Sequence, residues 1–313
     1  MSTKELCHVT TTTFRNALGS AKYPFESGRY WLFTSKLCPF AHRTELALKL
    51  TGLDRHIGLT IAGSVQTEKG WNLGEIYAGD GNSSNPVAQI DRLPGIYALA
   101  SPGYTGRASV PVLFDTKTKT IVNNESAEII QMFNSVAVEI TDHQTLYPKS
   151  QHTSIDEIIQ SINDDLISPI YRSGFASNQA DYDVNSSKVF AALSKFDSHL
   201  AQTGPFIAGE TLTLADVHAY PHLSRFDGIY HSLYHLNKSF IYNYTNIATY
   251  LNRLGAIPAF ADTLDLQASK NGYFLSWNQP TNANFVPVGP AVDPRSGVAV
   301  AGVIPPNVQS HNC

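Results

Sequence analysis

Residues 28–44 read GRYWLFTSKLCPFAHRT, and the fold turns on how that stretch divides. Its first half, Arg29–Ser35, is aromatic and apolar and predicts a strand. Cys38 and Pro39 then open a helical pattern. Proline suits the first helical position, where its missing N–H costs nothing, and Gly52 suits the stop. A cysteine between a strand and a helix start lies beside unpaired backbone N–H groups and the positive end of the helix dipole. Both favour thiolate over thiol, and His42 and Arg43 add positive charge nearby. A thiol pKa lowered in this way makes Cys38 a nucleophile at neutral pH. No second cysteine follows within the helix start, so a local dithiol cycle is excluded. A lone thiol takes its second thiol from solution, and glutathione is the usual source. Taken alone, Cys38-Pro39 fits a buried, inert cysteine ahead of a helix equally well.

Downstream, Ile57–Ile61 predicts a second strand, and residues 63–106 read as a long polar loop rich in Gly and Pro. A loop of that length in a compact domain is functional or an insertion. Val110–Asp115 and Ile121–Asn124 predict a hairpin around Thr116–Thr120. A helix follows from Glu125-Ser126, with Ile129, Ile130 and Phe133 on one face. This order predicts a thioredoxin-like α/β domain over residues 29–140, after an irregular leader of residues 1–28. Val110-Pro111, at the head of a strand, is a candidate cis bond that would turn the Val110 backbone toward an extended peptide. An ordinary trans proline is the commoner reading of that pair in isolation. At Glu125-Ser126 a carboxylate suits an α-amino group, while a hydroxyl and helix-start N–H groups suit an α-carboxylate. Together they match the γ-glutamyl end of glutathione, and an ordinary helix cap uses the same residues. Thiol, Val-Pro and Glu-Ser in this order point one way.

Residues 150–278 change to helical patterns, clearest at Ser154–Leu166, Ser187–Leu200, Thr213–Phe226 and Tyr244–Leu254, and predict an all-α domain. Thr213 and Asp216 have the spacing of a capping box. Residues 279–313, rich in Pro, Gly, Asn and Val, are expected to run over the surface as a tail. His218 and His222 are four apart, as are His231 and His235, but Pro221 interrupts the first pair and no convergent carboxylates accompany either. No metal site is predicted.

The 313 residues are enough for two domains, and a net charge of -4 gives no reason to expect nucleic acid or an acidic membrane as partner. Cys7, Cys38 and Cys313 are too scattered for a disulfide framework and fit a reducing compartment. No apolar leader or membrane-length apolar run is evident, so a cytoplasmic location is expected and the sequons at Asn82 and Asn243 read as accidental.

Together these residues resemble the Xi-class glutathione transferases, or glutathionyl-hydroquinone reductases. The similarity rests on GRYWLFTSKLCPFAHRT, Gly70-Trp71, YTGRASVPVLFD, TIVNNESAEIIQMFNS, IYRSGFASNQADYD, SRFDGIYH and FVPVGP. The resemblance implies a glutathione transferase fold: a thioredoxin-like N-terminal domain and a helical C-terminal domain, usually in a homodimer. It implies reductive deglutathionylation, with Cys38 as nucleophile and glutathione as co-substrate. Trp71, Arg107, Val110, Glu125 and Ser126 would bind glutathione. Tyr171 and Tyr230 would act on an aromatic, quinone-like substrate, with Tyr273 and Phe40 also against it. The chain departs from the family pattern at Phe40, where a Trp is usual, across residues 72–106, and in NGYFLSW, where a His-Tyr-Tyr-like run is usual. These changes fall on the expected substrate side and leave the substrate open. A conjugating transferase, isomerase or lyase acting on an unusual secondary metabolite fits the same scaffold. So does a non-catalytic, glutathione transferase-like binding protein.

Overall fold

The computed structural model describes residues 14–74, 84–141, 143–280 and 285–300. Cys7, Cys313, Asn82 and the tip of the long loop therefore lie outside the described residues. The chain divides into two units, Met1–Ser150 with Ser276–Asn278, and Gln151–Leu275 with Gln279–Cys313.

In the first unit β1 (Tyr30–Ser35) runs straight into α1 (Pro39–Leu50). Pro39 sits in the first helical turn, and Gly52, at φ 71°, takes the left-handed conformation that stops the helix. The unit continues through β2 (Gly58–Ala62), α2 (Leu93–Ala100), β3 (Val112–Asp115), β4 (Thr120–Asn123) and α3 (Ser126–Ile140). The sheet order is β2-β1-β3-β4, with β1 parallel to β2 and antiparallel to β3. That is the thioredoxin-like arrangement expected. β1 is one of the two inner strands, with Tyr30, Leu32 and Phe33 fully buried, and α1 packs on α3.

The stretch 63–106 is not loop throughout, because α2 lies inside it. Its N-cap is Arg92, which offers no capping oxygen; Pro94 in the first turn is its one start signal, and Gly95 beside it makes the pair read as loop. Ile96 and Tyr97 fix it by burial, and it packs against β4. The described part of the leader, from Phe14, is also anchored: Phe14 is buried, Arg15 bridges to Asn123, and the Arg15 guanidinium pairs with Glu128.

The second unit is helical: α4 (His152–Ser161), α5 (Ser168–Gly174), α6 (Gln179–Thr203), α7 (Leu214–Leu223), α8 (His231–Leu233), α9 (Thr245–Gly255), α10 (Pro258–Thr263) and α11 (Leu266–Leu275). The expected Thr213–Asp216 capping box is present, with Asp216 accepting the Thr213 N–H at 2.8 Å. Two expected helices end differently. Ser154–Leu166 passes into a π turn at Ile162–Ile167, and Thr213–Phe226 into another at Phe226–Tyr230. Residues 291–300 do not simply run over the surface. Ser296, Val298 and Ala299 are buried. The carboxylate of buried Asp227 accepts the Ala299 N–H at 2.9 Å and the Ile241 N–H at 2.6 Å, and Tyr220 donates to the Arg295 carbonyl at 2.7 Å. Among the described residues no helix is long and apolar enough to cross a membrane.

Candidate functional site

Cys38 is the N-cap residue of α1, in extended backbone at φ −88° and ψ 115°. Its side chain is half-buried, and no acidic residue stands in the first helical turn to oppose a thiolate. The turn that carries it is held from behind by a buried ion pair, Lys36 Nζ to Glu45 Oε1 at 2.6 Å. The Arg43 guanidinium lies over the Phe40 ring at 4.8 Å, a cation–π contact that fixes the aromatic of the first turn.

The Val110-Pro111 bond is cis, and the Val110 carbonyl lies 3.9 Å from Cys38 Sγ. Thiol and Val110 backbone are therefore neighbours, although they are far apart in sequence. Glu125 is the N-cap of α3. Its carboxylate accepts the Ala127 N–H at 3.3 Å, and Ser126 Oγ lies 3.4 Å from the same oxygen. The Glu125 N–H donates to Asn123 Oδ1 at 2.7 Å, so the approach to the helix is fixed as well. A carboxylate, a hydroxyl and the N-terminus of a long helix are together, as a γ-glutamyl group requires. Trp71 is buried, with its carbonyl accepting the Leu93 N–H at 3.0 Å. Arg107 is exposed on the loop before β3, and its carbonyl accepts the Tyr104 hydroxyl at 3.2 Å.

In the helical unit, Tyr171, Tyr230 and Tyr273 do come together. The Tyr273 hydroxyl lies 3.2 Å from that of Tyr171 and 3.2 Å from that of Tyr230. Burial pushes the Tyr171 and Tyr273 phenols well above their ordinary range; the charges of neighbouring phenols add to it, while the hydrogen bond with Tyr273 pulls Tyr171 the other way. They stay protonated at neutral pH and act as donors. Sequence reasoning missed a fourth member, Tyr234. Its ring stacks on Tyr230 with centroids 5.4 Å apart and planes 4° from parallel, and its hydroxyl donates to Gln279 Oε1 at 3.3 Å. The spacing from Tyr230 to Tyr234 is one helical turn, which is the signal that could have found it.

The histidine pairs have other partners. His218 Nε2 lies 2.8 Å from Asn163 Oδ1, His222 meets Tyr171 edge-on, and His231 stacks on Phe240 at 3.9 Å. Among the described residues no group of three or more His, Cys, Asp or Glu could hold a metal ion.

Two family profiles match the chain: "Glutathione S-transferase, N-terminal domain" over residues 37–136 and "Glutathione S-transferase, C-terminal domain" over residues 179–253. Glutathionyl-hydroquinone reductase YqjG of Escherichia coli is 34% identical over 88% of this chain and 83% of its own. The glutathione-bound structure of YqjG superposes with a TM-score of 0.84, covering 90% of this chain and 94% of that one at 33% identity. The glutathione-S-transferase Xi from Phanerochaete chrysosporium gives 0.83, covering 89% and 95% at 33% identity.

Proposed function

We propose, for a chain that belongs to the Xi-class glutathione transferase family, that its reaction is the reductive removal of glutathione from S-glutathionyl-hydroquinones or related aryl conjugates. The chain is an enzyme of the glutathione transferase superfamily, of the glutathionyl-hydroquinone reductase type. The observation that carries the reading is Cys38 at the start of α1, with the Val110 carbonyl 3.9 Å from its sulfur. Helix-start N–H groups and the dipole favour a thiolate there.

The Cys38 thiolate attacks the sulfur of the conjugate. A Cys38–glutathione disulfide forms, the aryl carbon–sulfur bond breaks, and the electron pair left on carbon takes a proton to give the hydroquinone. A second glutathione thiolate then attacks that disulfide, releasing oxidised glutathione and restoring the Cys38 thiolate. Glutathione is thus co-substrate and reductant. Glu125 and Ser126 would hold its γ-glutamyl end and Val110 its backbone, with Trp71 and Arg107 also against it. Tyr171 and Tyr230 would hydrogen-bond the oxygens of an aromatic substrate and supply the proton, with Tyr273 also against the substrate. Phe40 would contact the substrate ring.

The test is turnover of a glutathionyl-hydroquinone with excess glutathione by wild type and Cys38→Ser. Release of hydroquinone and oxidised glutathione by wild type alone supports the reading. Activity that survives Cys38→Ser would move the assignment to conjugation or isomerisation on the same scaffold.

A further inference from the structure

Four of the residues assigned above to glutathione come from two separate segments. Arg107 and Val110 lie on the approach to β3, and Glu125 and Ser126 open α3. A single buried hydroxyl bonds to both. Tyr97 of α2 is 1% exposed, and its hydroxyl donates to the Ser109 carbonyl at 2.7 Å. A phenol has one proton, so the same oxygen must accept its second bond, from Asn124 Nδ2 at 3.0 Å. Ser109 immediately precedes Val110, and Asn124 immediately precedes Glu125.

The Tyr97 ring is held in turn. Phe14 meets it edge-on at 5.7 Å and Tyr104 lies against it at 5.0 Å. Tyr104 also donates to the Arg107 carbonyl at 3.2 Å. Asn124 is 6% exposed, and its Oδ1 is buried with no hydrogen-bond partner among the described residues. Its fixed donor is therefore what settles the amide, and loss of the Tyr97 oxygen would leave the amide N–H and the Ser109 carbonyl unsatisfied as well.

We infer that Tyr97 is a positioning residue for glutathione: through Ser109 and Asn124 its hydroxyl sets the spacing between the Val110 backbone and the Glu125-Ser126 helix start, and so sets glutathione affinity. The inference rests on the glutathione reading above. It predicts a defect in binding rather than in the chemistry of the Cys38 thiol.

The experiment measures glutathione affinity by calorimetry and steady-state kinetics for wild type, Tyr97→Phe, Asn124→Ala and the double variant. With two hydrogen bonds lost, Tyr97→Phe should bind glutathione about five- to tenfold more weakly and raise its KM in step, with kcat at saturation within about twofold of wild type. Asn124→Ala keeps the Tyr97–Ser109 bond and should lose about threefold, and the double variant should be no weaker than Tyr97→Phe, because both act through one chain. If Tyr97→Phe fails to fold, the Asn124→Ala affinity decides alone. Unchanged affinity in folded variants, whatever their melting temperature, overturns the inference while leaving the glutathione reading intact. Failure of wild type to bind glutathione overturns both.

Discussion

The hydroxyls of Tyr230 and Tyr273 lie 3.2 Å apart inside the helical unit, and Tyr171 approaches Tyr273 at the same distance. Tyr230 leaves the π turn after α7, Tyr273 belongs to α11, and Tyr171 to α5. Three elements are thus joined through their phenol hydroxyls. Tyr273 is the shared partner. Tyr273→Phe should lower kcat/KM for an aryl conjugate by about tenfold, the scale of two modest hydrogen bonds, and leave glutathione affinity alone. Wild-type kcat/KM in that variant would remove the hydroxyl from the account.

Gly174 closes α5 where the Tyr234 ring passes over it, and any Cβ there would collide with that ring. Gly174→Ala should therefore cost about 1–3 kcal/mol of stability through forced repacking. Denaturant unfolding of the two proteins measures it, and an unchanged midpoint would show that Tyr234 swings aside freely.

Glu45 of α1 accepts from Lys36, which lies in the strand-to-helix turn that presents Cys38, and both side chains are almost wholly buried. Removing Glu45 takes away the buried carboxylate that pairs with the Lys36 charge at 2.6 Å. Glu45→Ala should destabilise the protein by about 3–5 kcal/mol, whereas loss of less than about 1 kcal/mol would mean that water reaches Lys36.

Asp115 is the acid-sensitive clasp of the sheet. Burial by itself would raise its pKa, but the two-pronged bond from Arg29 and donors from Lys117 and Thr118 outweigh it and hold the carboxyl at about 2. A carboxyl depressed in the folded state stabilises above its unfolded pKa near 3.9, and that stability is lost as pH falls through 2. Between pH 5 and 2 wild type should lose about 2 kcal/mol that Asp115→Asn does not. Parallel stability curves for the two proteins would contradict this.

Much of this was legible in the sequence. Pro39 and Gly52 marked both ends of α1, and the Thr213–Asp216 spacing marked the start of α7, because these signals act within one turn of chain. α2 was missed because Pro94 and Gly95 read as loop, while its stability comes from burying Ile96 and Tyr97. The two π turns were missed because they shift the helical phase without a residue type that marks them. The anchoring of the tail around Ser296, Val298 and Ala299 rests largely on backbone groups bonding to Asp227 and Tyr220, which leaves no trace in composition. Cys38 stood out by its place before Pro39. The tyrosines of the helical unit came from family likeness, since nothing local separates them from the other tyrosines of the chain. Tyr97 and Asn124 were invisible, because their meaning lies in what they connect.

The most direct test of the central claim is the intact mass of the protein after mixing with a glutathionyl-hydroquinone in the absence of free glutathione. The account predicts one glutathionyl group on Cys38, release of one equivalent of hydroquinone, and discharge of the adduct when glutathione is added. Hydroquinone release without an adduct, or equal release by Cys38→Ser, would contradict it.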